Sequence, residues 1–391
     1  MNPKLAIIST HPIQYNAPFF KLLAQRKEIR LKVFYTWSQS QNEQKYDPGF
    51  GKNIKWDIPL LEGYDYVFVE NIAMNPGSHH YNGINNPTLI HEIVSWGATA
   101  VMVYGWNFKS HLKAMKYFKN KLPVLFRGDS TLLDEKVGVK KILRRLFLRH
   151  VYSYVDTAFY AGRANKEYFK VHGFKDNKME FMPHAIDNKR FELSQINSDE
   201  ADKLRQLLNI PNNATVFLFA GKLEQKKQPD FLANVFFQIP NDSAFLVIVG
   251  NGEMEKELKQ KYLNHSQIKF LNFVNQQQMP SVYACCDVFI LPSKGPGETW
   301  GLSINEAMAG GKAIIASDAC GAVYDLIINE RNGFVFEKNN SDMLKTFMQY
   351  FIGNKNAAKK MGEQSSQKIS EYSFEKECMA LESVLLRKTS N

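Results

Sequence analysis

Two glutamates, Glu298 and Glu306, stand with seven residues between them in GPGETWGLSINEAMAGG (295–311). The first falls in a glycine-rich loop. The second falls about one turn inside a helix predicted to start near Leu302 and to end at Gly310-Gly311. A loop plus one helical turn can bring two carboxylates to the ~5–9 Å separation of a glycosidase pair. Here, however, the free N–H groups and positive dipole end of a helix lie between them and make an anion site. A nucleotide diphosphate suits that arrangement better. Its phosphates would meet the helix end, one carboxylate would take the ribose hydroxyls, and the other the hydroxyls of an attached sugar. A carboxylate accepts two hydroxyl hydrogen bonds at once, which fits both tasks.

Other loops add cations and close backbone approach. GKLEQKKQP follows the apolar run that ends at Ala220 and clusters Lys222, Lys226 and Lys227. Lysines at a strand end neutralise phosphate oxygens as point charges, although a surface cluster of the same composition also arises without a ligand. VGNGEMEKEL places Gly250 and Gly252 ahead of a helix; it lacks the third glycine of a dinucleotide fingerprint and is weak alone. In the first half, STHPIQYNAPFF offers His11, Gln14, Tyr15 and Asn16 after the first apolar run, for acceptor or donor phosphate, with packing or capping an equal reading of His11. VLFRGDSTLL offers Arg127 for phosphate and Asp129 for a hydroxyl proton, or a mutual ion pair. NPGSHHYNGINNP (75–87) reads as a turn-rich acceptor loop, and His79-His80 alone do not make a metal site.

These loops need a frame. Apolar runs at 4–10, 30–37, 64–70, 99–105, 123–129 and 156–162 alternate with helical patterns, and a second series follows at 215–223, 244–252, 268–274, 287–293, 313–319 and 333–337. Strand–helix alternation predicts mainly parallel sheets covered on both faces. The polar stretch near 185–212 reads as a linker carrying one helix. The expected organisation is an α/β chain of two doubly wound, Rossmann-like domains facing a central crevice. They would be 1–190 on the acceptor side and 191–370 on the donor side, with a terminal helix at 371–391 returning to the first domain. In such sheets ligands gather at the carboxyl ends of the strands.

Composition narrows the class. The chain has 391 residues and a net charge of +10, of which +12 lies in residues 1–190 and −2 in the remainder. The basic half points to an anionic partner, with nucleic acid, an anionic membrane and an acidic substrate all open on charge alone. No nucleic-acid module or aromatic stacking pattern singles out the first of these. KVGVKKILRRLFLRHVYSYV (136–155) mixes six Lys/Arg with aliphatic residues at helical spacing, as a membrane-surface helix or as a buried helix with a basic outer face. No stretch approaches the ~20 apolar residues of a spanning helix, and the N-terminus reads as a strand rather than a signal peptide. Cys285, Cys286, Cys320 and Cys378 show neither a disulfide framework nor zinc spacing and are expected to be buried, reduced thiols.

FILPSKGPGETWGLSINEAMAGGKAIIAS resembles the E-x7-E signature of retaining glycosyltransferases of family 4, which have the GT-B fold. FAGKLEQKKQP, VIVGNGEME, FLNFVNQQQMPSVYACCDVFILPS, MPHAIDNKRF and YSFEKECMALESVL resemble further family segments in the right order. The resemblance covers about 180–391. It implies that Glu306 binds ribose and that Glu298 holds and orients the donor sugar. The backbone of Thr299, Trp300 and Gly301 would face that sugar, and that of Leu302 and Ser303 the phosphates. Lys227 and Lys222 would meet the pyrophosphate, Gly250 would allow close approach, and backbone near Val274 would meet the base. Lys222 stands where the family usually has Arg, and the glycine-rich first loop and a later histidine of the family are replaced here. The implied activity is transfer of a sugar, with retention, from a nucleotide-diphosphate sugar to a saccharide or lipid-linked acceptor of a cell-surface polymer. No Asp-x-Asp occurs, so neither metal nor cofactor is expected. A cytoplasmic enzyme with peripheral contact to the inner face of the membrane is the expected setting. A non-hydrolysing nucleotide-sugar 2-epimerase shares the architecture. A silent partner subunit would have no need of Glu298, Glu306 and the lysine pair.

Overall fold

The computed structural model describes residues 2–41, 45–47, 50–135, 138–240 and 242–387. They form two compact units. The first comprises Met1–Lys45, Ile58–His184 and Phe374–Asn391, and the second Tyr46–Asp57 and Ala185–Ser373. The sequence places its boundaries at 190 and 370 and leaves 46–57 in the first half; in the structure that short segment packs with the second unit.

In chain order the strands of the first half are β1 (Lys4–Ser9), β2 (Arg30–Tyr35), the short pair β3 (Lys45–Asp47) and β4 (Lys52–Ile54), β5 (Asp65–Phe68), β6 (Ala100–Tyr104), β7 (Val124–Arg127), β8 (Thr157–Tyr160) and β9 (Met179–Phe181). The second half has β10 (Thr215–Ala220), β11 (Ala244–Val249), β12 (Ile268–Leu271), β13 (Val288–Leu291), β14 (Ala313–Ser317) and β15 (Gly333–Phe336). All twelve expected strands are present. β3, β4 and β9 escape sequence reading because three residues, several of them polar, are too short to show a period.

The first unit's sheet runs β5-β2-β1-β6-β7-β8-β9 and the second's β12-β11-β10-β13-β14-β15, with β3-β4 a separate pair. Every ladder in the two larger sheets is parallel. That arrangement explains the sequence of the central strands. β10 and β11 are buried along their whole length, so both faces need apolar side chains and the runs are continuous rather than alternating. Strand order reverses between β1 and β6 in one sheet and between β10 and β13 in the other. Loops after those strands therefore diverge to opposite faces and leave room for a ligand.

The stretch expected to be a linker with one helix carries two, Asn188–Phe191 and Gln195–Leu207. Asp187 and Ser194 cap them by accepting from the N–H groups of Arg190 and Asn197. The terminal helix Phe374–Arg387 packs in the first unit. There Arg26 donates from Nε and Nη2 to the two carboxylate oxygens of Glu382, both at 2.7 Å. This fork-to-fork pair fixes orientation as well as distance. All four cysteines are free and buried, and burial pushes the Cys285 thiol up to about 11.

Candidate active site

The loops after β10 and β13 flank the switch point of the second sheet, and they carry Lys222, Lys227 and Glu298. β13 leaves its core at Pro292-Ser293 and enters a loop that runs to Gly301. Lys294 N donates to Lys226 O at 2.9 Å, which ties this loop to the one after β10. Across that tie Lys227 Nζ lies 2.7 Å from Glu298 Oε2, and Ser293 Oγ donates to the same oxygen at 3.0 Å. The two charged side chains are only 17 % and 11 % exposed. Shielding from water strengthens their attraction and also makes loss of either partner costly. Burial first, and the nearby Glu298 charge second, push the Cys320 thiol beneath this loop up to about 12.

The helix Leu302–Ala309 starts as expected. Gly301 caps it with φ 101°, a left-handed conformation that a side chain resists. In its first turn Ile304 N donates back to Gly301 O at 2.9 Å, while the N–H groups of Leu302 and Ser303 lie too early for an acceptor within the helix. Glu306, 4 % exposed, points its Oε2 at the phenol of Tyr283, which donates at 2.8 Å. Trp300 is buried, and its Nε1 donates to Asn305 Oδ1 at 2.8 Å, so its side chain braces the loop against the helix. The carbonyls of Glu298 and Trp300 accept from Gly321 and Ala322 N–H, at 3.1 and 3.0 Å. A Cβ on Gly321 would lie 1.8 Å from Thr299 O. The segment Glu298–Gly301 is thus held from the β14 side as well.

The loop after β11 sits beside the lysines. A Cβ on Gly250 would meet Gly221 O at 2.0 Å, so this glycine serves backbone packing between neighbouring loops. That is a separate use from approach to a ligand. Leu223 N donates to Asn251 O at 2.9 Å, and Phe273 N donates to Asn251 Oδ1 at 2.7 Å. One asparagine thereby links the loops after β10, β11 and β12, including the stretch around Val274. The ammonium of Lys222 lies 5.1 Å from the ring centroid of Phe50, which belongs to the segment 46–57. Among the described residues no group of three or more His, Cys, Asp or Glu could hold a metal ion.

In the first unit His11, Gln14, Tyr15 and Asn16 occupy the loop after β1, at that sheet's switch point. His11 Nδ1 lies 2.9 Å from Thr10 Oγ1, and its ring meets Trp37 edge-on at 5.4 Å. Arg127 corrects the expectation of a phosphate ligand. Its Nη1 donates to Met182 O, and its Nη2 donates to Pro183 O at 2.9 Å and faces Glu377 Oε1 at 3.5 Å. A buried fork spent on two carbonyls and a carboxylate of the terminal helix braces the unit. Glu377 is a carboxylate that this guanidinium faces, and Asp129 is exposed.

Sequence reasoning passed over Ser293, Tyr283 and Phe50. Ser293 carries a usable signal, since it is the residue at which a buried strand ends. Tyr283 and Phe50 carry none, because their partners lie far along the chain.

Residues 200–368 match the family described as glycosyl transferases group 1. An Escherichia coli UDP-Gal:alpha-D-GlcNAc-diphosphoundecaprenol alpha-1,3-galactosyltransferase is 32 % identical over 172 residues, 42 % of this chain and 43 % of that one. A Campylobacter jejuni N,N'-diacetylbacillosaminyl-diphospho-undecaprenol alpha-1,3-N-acetylgalactosaminyltransferase is 23 % identical over 240 residues, 60 % of this chain and 62 % of that one. The matched stretches therefore span about half of these relatives' length. The crystal structure of Anabaena HepE in complex with UDP and glucose superposes with a TM-score of 0.70 at 18 % identity, covering 99 % of this chain and 100 % of that one. The chain is similar to group 1 glycosyltransferases in the sequence of its second unit, and it shares their GT-B fold of two parallel-sheet, Rossmann-like domains.

Proposed function

We propose that this protein transfers a sugar from a nucleotide-diphosphate sugar to a saccharide or lipid-linked acceptor, with retention of anomeric configuration and without a metal. The observation that carries the reading is the Lys227–Glu298 pair, set beside the Gly301-capped helix end at the switch point. A nucleoside diphosphate leaves as an anion, so the chemistry needs positive charge placed beforehand where negative charge develops. Lys222, Lys227 and the first-turn N–H groups of Leu302 and Ser303 supply it. Glu298 orients the sugar through its hydroxyls, and Glu306, steadied by Tyr283, takes those of the ribose. The acceptor attacks from the face the nucleotide leaves, and the departing phosphate takes its proton. UDP bound to HepE and the diphosphoundecaprenol acceptors named for two relatives favour a uridine donor and a lipid-diphosphate acceptor.

The test is a thermal-shift screen of UDP-, GDP- and ADP-sugars followed by product detection. At least one donor should raise the melting temperature, and sugar transfer should require an acceptor. No shift with any donor sinks the reading. Release of an epimerised sugar without acceptor would assign the chain to the 2-epimerases instead.

A second observation bears on setting. The helix Val139–Tyr152 buries only Leu148, Val151 and Tyr152. Val139, Ile142, Leu143, Leu146 and Phe147, spaced along one face, are between 48 % and 74 % exposed. Lys140, Arg144 and Arg149 flank them, while Lys141 and Arg145 share Glu135. Residues 136 and 137 of the stretch lie outside the described residues. An outward apolar face between cations matches an anionic bilayer, with the aliphatic groups in the acyl boundary and the cations at the headgroups. Among the described residues no helix is long and apolar enough to cross a membrane. Vesicles containing phosphatidylglycerol should sediment the protein, those of phosphatidylcholine should not, and Leu143→Asp should abolish the difference. Equal sedimentation with both removes the proposal.

A further inference from the structure

The segment 50–57 lies in the first half of the sequence yet is built into the second unit. Its attachment is specific. Asn275 Nδ2 donates to Lys55 O at 2.7 Å, Gln277 N donates to the Asp57 carboxylate at 3.1 and 3.2 Å, and Gln277 Nε2 donates to Asp57 O at 2.5 Å. All these donors stand in the loop after β12. Two rings complete the contact. Phe50 meets Phe273 edge-on at 5.0 Å, and Trp56 lies 6.1 Å from the same ring.

Phe50 also reaches the other way, to the ammonium of Lys222. Lys222 follows β10 and Phe273 follows β12, with β11 between them. A ring that touches both residues bridges the Gly250–Gly252 loop. On one side of it lies the cation assigned to the diphosphate. On the other lies the loop around Val274, assigned to the base. Phe50, Trp56 and Phe273 are all half-buried, so each keeps some open ring surface.

A nucleobase offers a flat π face and a polar edge. An aromatic side chain receives the face whatever the base, and neighbouring amide and backbone groups read the edge. We infer that Phe50, held in place by the 55–57 anchor and flanked by Trp56 and Phe273, is the stacking surface for the donor's nucleobase. Base binding is thereby supplied in part by a segment from the first half of the sequence. This rests on the donor reading above and adds a residue to it. The Lys222–Phe50 contact then has a physical purpose: an ammonium held over a ring is already beside the position its phosphate must take when the base stacks.

The experiment is isothermal titration with UDP, GDP and ADP on wild type, Phe50→Tyr, Phe50→Leu and Phe50→Ala, with melting curves to confirm folding. For whichever nucleotide the wild type binds, Phe50→Tyr should stay within about threefold. Phe50→Leu and Phe50→Ala should lose roughly ten- to a hundredfold, the scale of one base–aromatic stack. Competition by inorganic pyrophosphate should be equal in all four proteins. Wild-type affinity in Phe50→Leu overturns the inference, because bulk alone would then suffice. Tighter nucleotide binding in Phe50→Ala also overturns it, by showing that the ring blocks Lys222. Parallel loss of pyrophosphate competition overturns it as well, since Phe50 would then act only through the lysine. If the wild type binds none of the three nucleotides, the donor reading itself has failed and this inference falls with it.

Discussion

Replacing Glu298 by Gln should separate nucleotide binding from turnover in opposite directions. The substitution keeps the shape and leaves an oxygen to accept from Ser293 Oγ, but it removes the charge 2.7 Å from Lys227 Nζ. In the proposed complex a phosphate approaches Lys227 while Glu298 repels it. Two like charges about 5 Å apart at an effective dielectric of about 20 repel by about 3 kcal/mol. Water and the lysine between them reduce this, so a gain of about 1 kcal/mol is expected, or roughly fivefold tighter nucleoside diphosphate. Turnover should fall by about a hundredfold, near 2.7 kcal/mol, as the sugar loses a carboxylate that grips its hydroxyls in the transition state. Titration calorimetry with the nucleotide found in the donor screen gives the first number, and steady-state rates at saturating donor give the second. If Glu298→Gln weakens nucleotide tenfold and leaves turnover per bound donor unchanged, Glu298 is only a counter-ion that positions Lys227, and its assignment to the sugar is wrong.

Glu306→Gln keeps the hydrogen bond from Tyr283 but halves the acceptor capacity offered to a ribose, so nucleotide affinity should fall about tenfold with little change in kcat; calorimetry and kcat measured on one preparation decide it. Arg127→Met should cost about 3 kcal/mol of stability, because it takes a buried guanidinium away from Glu377 and two carbonyls, while nucleotide affinity stays unchanged; a matching loss of nucleotide affinity in urea-stable protein would restore its phosphate role. Burial holds the imidazole of His111 down at about 4, against the pull of the Gly105 and Tyr104 carbonyls. Its folded value lies below the unfolded ~6.5, so its contribution is full above about 6.5 and is lost as pH falls towards 4. About 2 kcal/mol should disappear between pH 7 and pH 5, and His111→Gln should lack that share of the slope in urea melts at the two pH values.

The long strands were legible because buried parallel strands need continuous apolar runs, as in TVFLFA and AFLVIV. The helix after Gly301 was legible because Gly301 and Gly310-Gly311 punctuate it at both ends. Partner choice was not legible. Nothing local says that Arg127 will meet a glutamate 250 residues away, or that Phe50 will sit over Lys222. The helix at 139–152 shows a different limit. Periodicity announces that it is amphipathic, but not which face meets protein. Here Leu148 and Val151 turn inward while Ile142, Leu143 and Leu146 turn out.

The two carboxylates that define the 298–306 spacing are therefore alike in sequence and unlike in setting. Tyr283, a neutral phenol carried by a helix of the same unit, secures Glu306. A hydrogen bond to a neutral donor does not compete with an arriving anion, so Glu306 can stay fixed through a cycle. Lys227, a cation from the loop across the switch point, secures Glu298. That bond has to be shared once a diphosphate enters, because one ammonium then faces two anions. In the proposed complex, nucleotide arrival should therefore loosen Glu298 at the moment when the sugar hydroxyls become available to it, and departure of the diphosphate should restore the pair. On this argument the seven-residue spacing separates a fixed carboxylate from one whose position answers to the ligand's own charge. Salt should accordingly weaken nucleotide binding more in Glu298→Gln than in Glu306→Gln, since only the first substitution leaves Lys227 an unopposed cation whose attraction for the phosphate is screened with no repulsion relieved alongside it.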